Sequence, residues 1–199
     1  MVKYVEVMSA ARRSNSSAQV INQRFQKAIM KHTISILVEN NAGVLSRISG
    51  LFARRGYNIH SLAVGVTDNE KISRMTIVAE GSDYTLEQIE KQLNKLIDVI
   101  KVRSLPVGKH LARELMLVKV ACTPAQRQEL ISIAEISGAK ISDISNETIT
   151  LELSSDDTGI TTFEELLKPY GIKETVRTGV VALQKGAGSL GSSKVSALL

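Results

Sequence analysis

The feature that most constrains this chain is a change of hydrophobic period that occurs twice in the same order. From His32 the sequence alternates between short apolar runs and segments whose apolar residues recur every three or four positions. His32–Val38 is a compact apolar run, read as a buried strand. Asn40-Asn41-Ala42-Gly43 is a turn signal. Val44, Leu45, Ile48, Leu51 and Phe52 then share one helical face, and Arg54-Arg55-Gly56 ends the helix with basic residues and a glycine. Tyr57–Val66 and Ile72–Ala79 read as two strands around the polar turn Thr67–Glu70. A second helix follows Thr85, with Leu86, Ile89, Leu93, Leu96 and Ile97 on its apolar face. Asp98–Leu105 is the last strand of this unit.

Pro106–Ala112 reads as a linker, after which the order returns. Arg113–Cys122 is a strand, and Pro124 stands at the first position of a helix that carries Leu130, Ile131 and Ala134 to the stop at Gly138. Ala139–Ile144 and Glu147–Leu153 form a hairpin around Ser145-Asn146. In its second arm Ile149, Leu151 and Leu153 alternate with Thr148, Thr150 and Glu152. Phe163, Leu166, Leu167 and Tyr170 mark a short helix ending at Gly171, and Ile172–Leu183 is the closing strand. Strand–helix–strand–strand–helix–strand is the split β-α-β arrangement, with two helices on one face of a four-stranded antiparallel sheet. The expected fold class is therefore α+β, two ferredoxin-like βαββαβ domains. The expected limits are a leader at 1–30, a first domain at 31–107, a second at 108–185 and a flexible Gly/Ser-rich tail at 186–199.

Composition narrows the function. Aromatic residues are only 4% of the chain and tryptophan is absent, so the cores rest on Ile, Leu and Val. No apolar run reaches the roughly 18 residues of a membrane span. The net charge of +5 invites a nucleic-acid reading, but its placement argues otherwise. Residues 1–30 hold five basic residues against Glu6 alone, leaving twenty basic and nineteen acidic residues for the remainder. Residues 1–29 show no sustained periodicity and read as a disordered leader rather than a targeting peptide, with Met30 as a natural start. The lone Cys122 lies in an apolar run, excludes an internal disulfide and reads as a small buried hydrophobe.

The catalytic inventory is thin. His32, His60 and His110 lack metal-ligand spacing, and there is no CxxC, HExxH, GxSxG or phosphate loop. Gly186-Ala187-Gly188 follows a strand with no helix after it. The informative stretch is Glu39–Ile59, ENNAGVLSRISGLFARRGYNI. At Asn40–Gly43 a strand ends and a helix begins, and a helix start offers free N–H groups and a positive dipole end to a carboxylate. Gly43 permits close backbone approach. The Asn40 amide can donate to a carboxylate or accept from an ammonium. Val44 and Leu45 could wall an aliphatic side chain. On spacing alone, the same residues also fit an N-cap, a turn glycine and two core positions.

This stretch resembles the amino-acid-binding ACT module, and more narrowly the small regulatory subunit of acetohydroxyacid synthase (acetolactate synthase). NAGVLSRISGLFARRGYNIHSLAVG, SRMTIVAEG at Ser73–Gly81, EQIEKQLNKLIDVIKV at Glu87–Val102, RELMLVKV at Arg113–Val120 and RTGVVAL at Arg177–Leu183 carry the resemblance across about residues 30–185. It implies a non-catalytic homodimer that binds and activates a separate catalytic large subunit in valine, leucine and isoleucine biosynthesis. Thiamine diphosphate, magnesium and FAD would belong to that large subunit, with no cofactor or metal bound by this chain. It further implies feedback by valine at the junction of two ACT sheets. Asn40, Gly43, Val44 and Leu45 match the effector turn, and Asn58 and Ile59 match the part that faces the partner's turn. No nucleic-acid or membrane partner is expected, and the location would be cytoplasmic, or plastid in an algal or plant chain.

Three rivals share parts of this pattern. An RNA-binding RRM needs exposed aromatics on its central strands, and Lys71–Ala79 has none. An acylphosphatase-like enzyme would use an Arg and an Asn around phosphate, for which Arg54, Arg55 and Asn58 are candidates, but basic residues closing a helix are the plainer account. A stand-alone ACT regulator with another partner would bind ligand without stimulating acetohydroxyacid synthase.

Overall fold

A computed structural model describes residues 30–190 of the 199-residue chain. The leader up to residue 29 and the tail from 191 lie outside the described residues.

The first unit comprises β1 (Met30–Glu39), α1 (Val44–Arg55), β2 (Ile59–Val66), β3 (Ile72–Gly81), α2 (Asp83–Leu93) and β4 (Val99–Leu105). Its sheet has the order β2-β3-β1-β4 and is antiparallel throughout. The second unit comprises β5 (His110–Ala121), α3 (Arg127–Ser137), β6 (Lys140–Ile144), β7 (Thr148–Ser155), α4 (Asp157–Leu167), a 3-10 turn at Lys168–Tyr170 and β8 (Ile172–Arg177). Its order, β6-β7-β5-β8, reproduces the first unit's connectivity. Both units are the ferredoxin-like α+β sandwich that the pattern of periods predicts.

Each sheet buries one face under its two helices. Ile34, Ile36 and Val38 of β1 and Met75, Ile77 and Ala79 of β3 pack against Val44, Ile48, Leu51 and Phe52 of α1 and Ile89 and Leu93 of α2. In the second unit Met116, Val118 and Val120 of β5 and Ile149, Leu151 and Leu153 of β7 meet Leu130 and Ala134 of α3 and Ile160, Phe163 and Leu167 of α4. Cys122 is buried in this second core, as its apolar setting predicts.

Several boundaries differ from the sequence expectation. Met30 and Lys31 already pair with β3, so the first strand begins inside the expected leader limit. Ser82 caps α2 by accepting from the Thr85 amide at 3.3 Å, which moves the helix start forward to Asp83. That helix ends at Leu93, leaving Leu96 beyond it and Ile97 fully exposed. Pro124 precedes α3 in a turn braced by Gln126 Oε1, which accepts from the Thr123 amide and hydroxyl. In α4 the buried face is Ile160, Phe163 and Leu167, whereas Leu166 is exposed. Asp156 caps that helix through the Gly159 amide at 2.9 Å, a start that the weak helix formers Thr158 and Gly159 conceal.

The largest difference lies at the junction. The expected linker Pro106–Ala112 is a turn only as far as Lys109, and His110–Arg113 belongs to β5. The expected closing strand Ile172–Leu183 breaks at Thr178-Gly179 into β8 and a further strand, β9 (Val181–Gln184). β8 pairs with the C-terminal half of β5, and β9 pairs with its N-terminal half, His110–Arg113. This two-stranded ribbon lies over the outer face of the first sheet, where the Val180 amide donates to Ser61 Oγ at 2.8 Å. Gly179 has φ +80°, and a Cβ there would come within 2.8 Å of Ser61 Oγ and 3.1 Å of the Leu62 carbonyl oxygen. Leu190 is buried against Leu37, Ile72 and Ile100, so the start of the expected flexible tail packs on the first unit.

Phe163→Ala is expected to destabilise the chain by about 3–5 kcal/mol, because a fully buried ring leaves a cavity between helix and sheet. Urea unfolding monitored by circular dichroism measures this. A loss below about 1 kcal/mol would mean that this ring is not central to the second core.

Candidate functional site

The turn between β1 and α1 is built by hydrogen bonds from a distant hairpin. The Asn40 amide N–H donates to the Lys71 carbonyl at 2.8 Å, and its Nδ2 donates to the Glu70 carbonyl at 2.9 Å. Its Oδ1 accepts from Ser73 Oγ at 3.0 Å. Asn40 is thus first a brace between the turn and the β2–β3 hairpin. One Nδ2 hydrogen and one Oδ1 lone pair remain beyond these contacts.

Gly43 occupies the N-cap of α1 with φ 85° and ψ −8°, a left-handed conformation that a side chain would strain. No side chain caps this helix, and its first turn carries no acid. The Val44 amide makes only a long 3.4 Å contact to Asn41 O. The N–H groups of the first turn therefore stay open to an incoming anion. Arg47, one turn in, grips Asp98 with two bonds of 2.7 and 2.9 Å. Asp98 is 8% exposed, and its carbonyl accepts from Glu39 N at 2.9 Å. This pair ties the helix start to the entry of β4. Sequence reasoning missed it, since 51 residues separate the partners and no local pattern links them.

Val44 is buried in the core and Leu45 is exposed. The expected apolar wall therefore reduces to Leu45, because Val44 faces the sheet. Asn58 is exposed, and its Nδ2 lies 3.3 Å from Glu80 Oε2. Ile59 opens β2 and packs half-buried on the first core.

Within one chain these residues do not come together. Glu39, next to Asn40, pairs with Ile72, and Ile59, next to Asn58, pairs with Ala79. At about 3.3 Å per residue along β3, the two groups stand roughly 23 Å apart, at opposite ends of the sheet. β1 and β2 both run antiparallel to β3, so they are parallel to each other. β2 is an edge strand of this sheet. A second copy pairing antiparallel along β2 would place its Asn58 at the end where Asn40 and Gly43 lie.

The remaining candidates stay apart from this turn. A nitrogen of His32 lies 3.0 Å from the Gly81 carbonyl, one of His110 lies 2.8 Å from the Pro106 carbonyl, and His60 stands beside Glu80. Among the described residues no three His, Cys, Asp or Glu side chains converge as a metal site requires, and no helix is long and apolar enough to cross a membrane.

Two sandwiches of one topology, the first led by an uncapped glycine turn, define an ACT-type module with a companion domain. Residues 34–101 match the family model of the AHAS small subunit-like ACT domain, where AHAS is acetohydroxyacid synthase, and residues 113–186 match that of the small subunit of acetolactate synthase. An acetolactate synthase small subunit from Aquifex aeolicus is 47% identical over 159 residues, covering 79% of this chain and 82% of that one. One from Mycolicibacterium smegmatis is 44% identical over 163 residues, covering 82% and 96%. The solved acetolactate synthase small subunit from Thermotoga maritima superposes with a TM-score of 0.75 at 37% identity, over 80% of this chain and 99% of that one. This chain belongs to the acetolactate synthase small-subunit family.

Arg47→Met is expected to cost roughly 1–3 kcal/mol, because it strands the Asp98 carboxylate in a largely dry position. In a double-mutant cycle with Asp98→Asn, unfolding free energies should deviate from additivity. Additive losses would dissolve the pair as a tie between helix start and sheet. Asn40→Ala should lose about 1–2 kcal/mol in the absence of any ligand, since two hydrogen bonds of the brace disappear. An unchanged melting temperature would show the brace to be energetically idle.

Proposed function

We propose that this chain is the non-catalytic regulatory subunit of an acetolactate synthase in branched-chain amino-acid biosynthesis. In this reading it works as a cytoplasmic homodimer docked on a separate catalytic subunit, whose turnover it raises. The thiamine diphosphate, magnesium and FAD chemistry resides in that catalytic subunit. Valine bound between two copies favours a less activating arrangement.

One observation carries the reading. The two groups of candidate residues lie at opposite ends of one sheet whose β2 edge is free of a further strand, and a two-fold axis beside that edge would unite them. The site then has two halves. The carboxylate of valine meets the open N–H groups of the α1 start beside Gly43. Its ammonium meets amide oxygens of Asn40 and of the Asn58 supplied by the other copy. Leu45 offers the branched side chain an apolar neighbour. Half of the site lies on each copy, so occupancy and subunit geometry form a single equilibrium. A preference of about 2 kcal/mol suffices to change a response some thirtyfold.

The test mixes the full chain with the catalytic subunit of the same organism, with and without valine. Acetolactate formation should rise on mixing and fall again with valine. Binding of valine to the chain without stimulation of the enzyme would instead mark a stand-alone ACT regulator. Calorimetric titration should show valine binding at least tenfold weaker in Asn58→Ala, with the fold retained. Equal heats and affinities would remove Asn58 from the site.

A further inference from the structure

On the outer face of the first sheet, away from the β1–α1 turn, a cavity of about 260 Å³ lies between the sheet and the β9 ribbon. Ser35 of β1, Arg74 of β3 and Arg103 of β4 form its floor, with Gly186–Leu190 folded across it. In register Ser35 stands beside Arg103 on one side and Thr76 on the other, and Arg74 lies two residues further along β3 on the same face.

Two polar atoms at this floor lack partners. Ser35 is 2% exposed, and among the described residues its Oγ has no hydrogen-bond partner. The buried Nε of Arg74 has none either. Arg103 Nη1 reaches Gln184 Oε1 and, at 3.3 Å, the carbonyl of Ser189, so it holds the covering segment in place. The backbone turns at Gly186 with φ +76°. The remaining walls are Leu105, Ala182, Leu183 and Leu190.

A buried hydroxyl and a buried guanidinium N–H without acceptors are costly to leave unmade. Both residues line the same small space, with a second guanidinium at its side and no acid in its lining. Guanidinium groups bind planar or tetrahedral oxyanions in preference to other partners. The absence of an acid disfavours a ligand that carries an ammonium, since it would sit between two arginines. We propose that this cavity binds a small oxyanion without an ammonium: inorganic phosphate or a short aliphatic carboxylate. The volume is at the small end of ligand sites, which excludes nucleotides. Arg74 and the Ser35 hydroxyl donate to the anion's oxygens, and the leucines contact an aliphatic remainder where there is one.

The test titrates the full chain calorimetrically with phosphate and, separately, with isovalerate (valine without its amino group), at constant ionic strength. At least one should bind, about tenfold or more weakly in Arg74→Met and in Ser35→Ala. Which of the two binds identifies the source of the oxyanion, and either supports the site. Valine should not displace the bound anion, and its own response should persist in Arg74→Met, so this test and that of the proposed function fail separately. No binding of either probe, or equal binding by both variants, overturns the proposal. Thermal unfolding gives a second readout. An unpartnered hydroxyl contributes nothing to the unliganded fold, so Ser35→Ala should melt at or above the wild-type temperature. A clear fall would show the hydroxyl bonded within the fold, and the site would lose its central donor.

Discussion

The ladder along β5 is the constraint on which the arrangement of this chain depends. Its C-terminal half, from Glu114 onward, lies in the second sheet between β7 and β8. Its N-terminal half, His110–Arg113, pairs with β9 over the outer face of the first sheet. One twelve-residue strand therefore belongs to two bodies. Backbone groups along it are satisfied almost without interruption, and rotating one unit against the other would break part of that ladder. The contacts of Val180 with Ser61 and of Arg103 with Gln184 then lock the ribbon onto the first sheet.

Against this frame, the turn at Asn40–Gly43 is open and braced at once. Its backbone geometry depends on Gly43, its orientation on the Arg47–Asp98 pair, and its height above the sheet on Asn40. The helix start is left without a side-chain cap, since the left-handed backbone of Gly43 excludes the extended geometry from which a serine or aspartate caps a helix. In the proposed regulatory reading, an open helix start held by neighbouring contacts would be preorganised for a carboxylate, with little order to create when one arrives.

The fold was largely legible in the sequence because its signals are local. Period-two alternation at Ile149–Leu153 and the helical spacing of Ile48, Leu51 and Phe52 each imply one buried face. The repeated order of elements then leaves few topologies. The α4 start was hidden because Thr158-Gly159 argues against a helix that Ile160 and Phe163 nevertheless pin to the sheet. The break at Thr178-Gly179 was illegible because both flanks are strand-like and only the position of the first sheet decides where the chain must cross. The site was half legible. The turn residues were visible, and helical spacing already put Val44 on the core face, but it could not show that Leu45 beside it is exposed, that Asn40 is engaged by Ser73, or that Asn58 lies at the far end of the sheet. All three depend on long-range pairing.

Gly179 has a consequence for how such chains can vary. It passes so close to Ser61 and Leu62 that the crossing point between the two bodies admits no side chain. Insertions elsewhere, such as in the exposed turn at Ser145-Asn146, lengthen a loop and leave both sheets alone. One added residue between β8 and β9 would shift Val181–Gln184 by a single position and turn Ala182, which is buried, toward solvent. The two bodies are thereby bound into one heritable unit: recombination that exchanged the second without its seam would yield a protein with a misregistered joint.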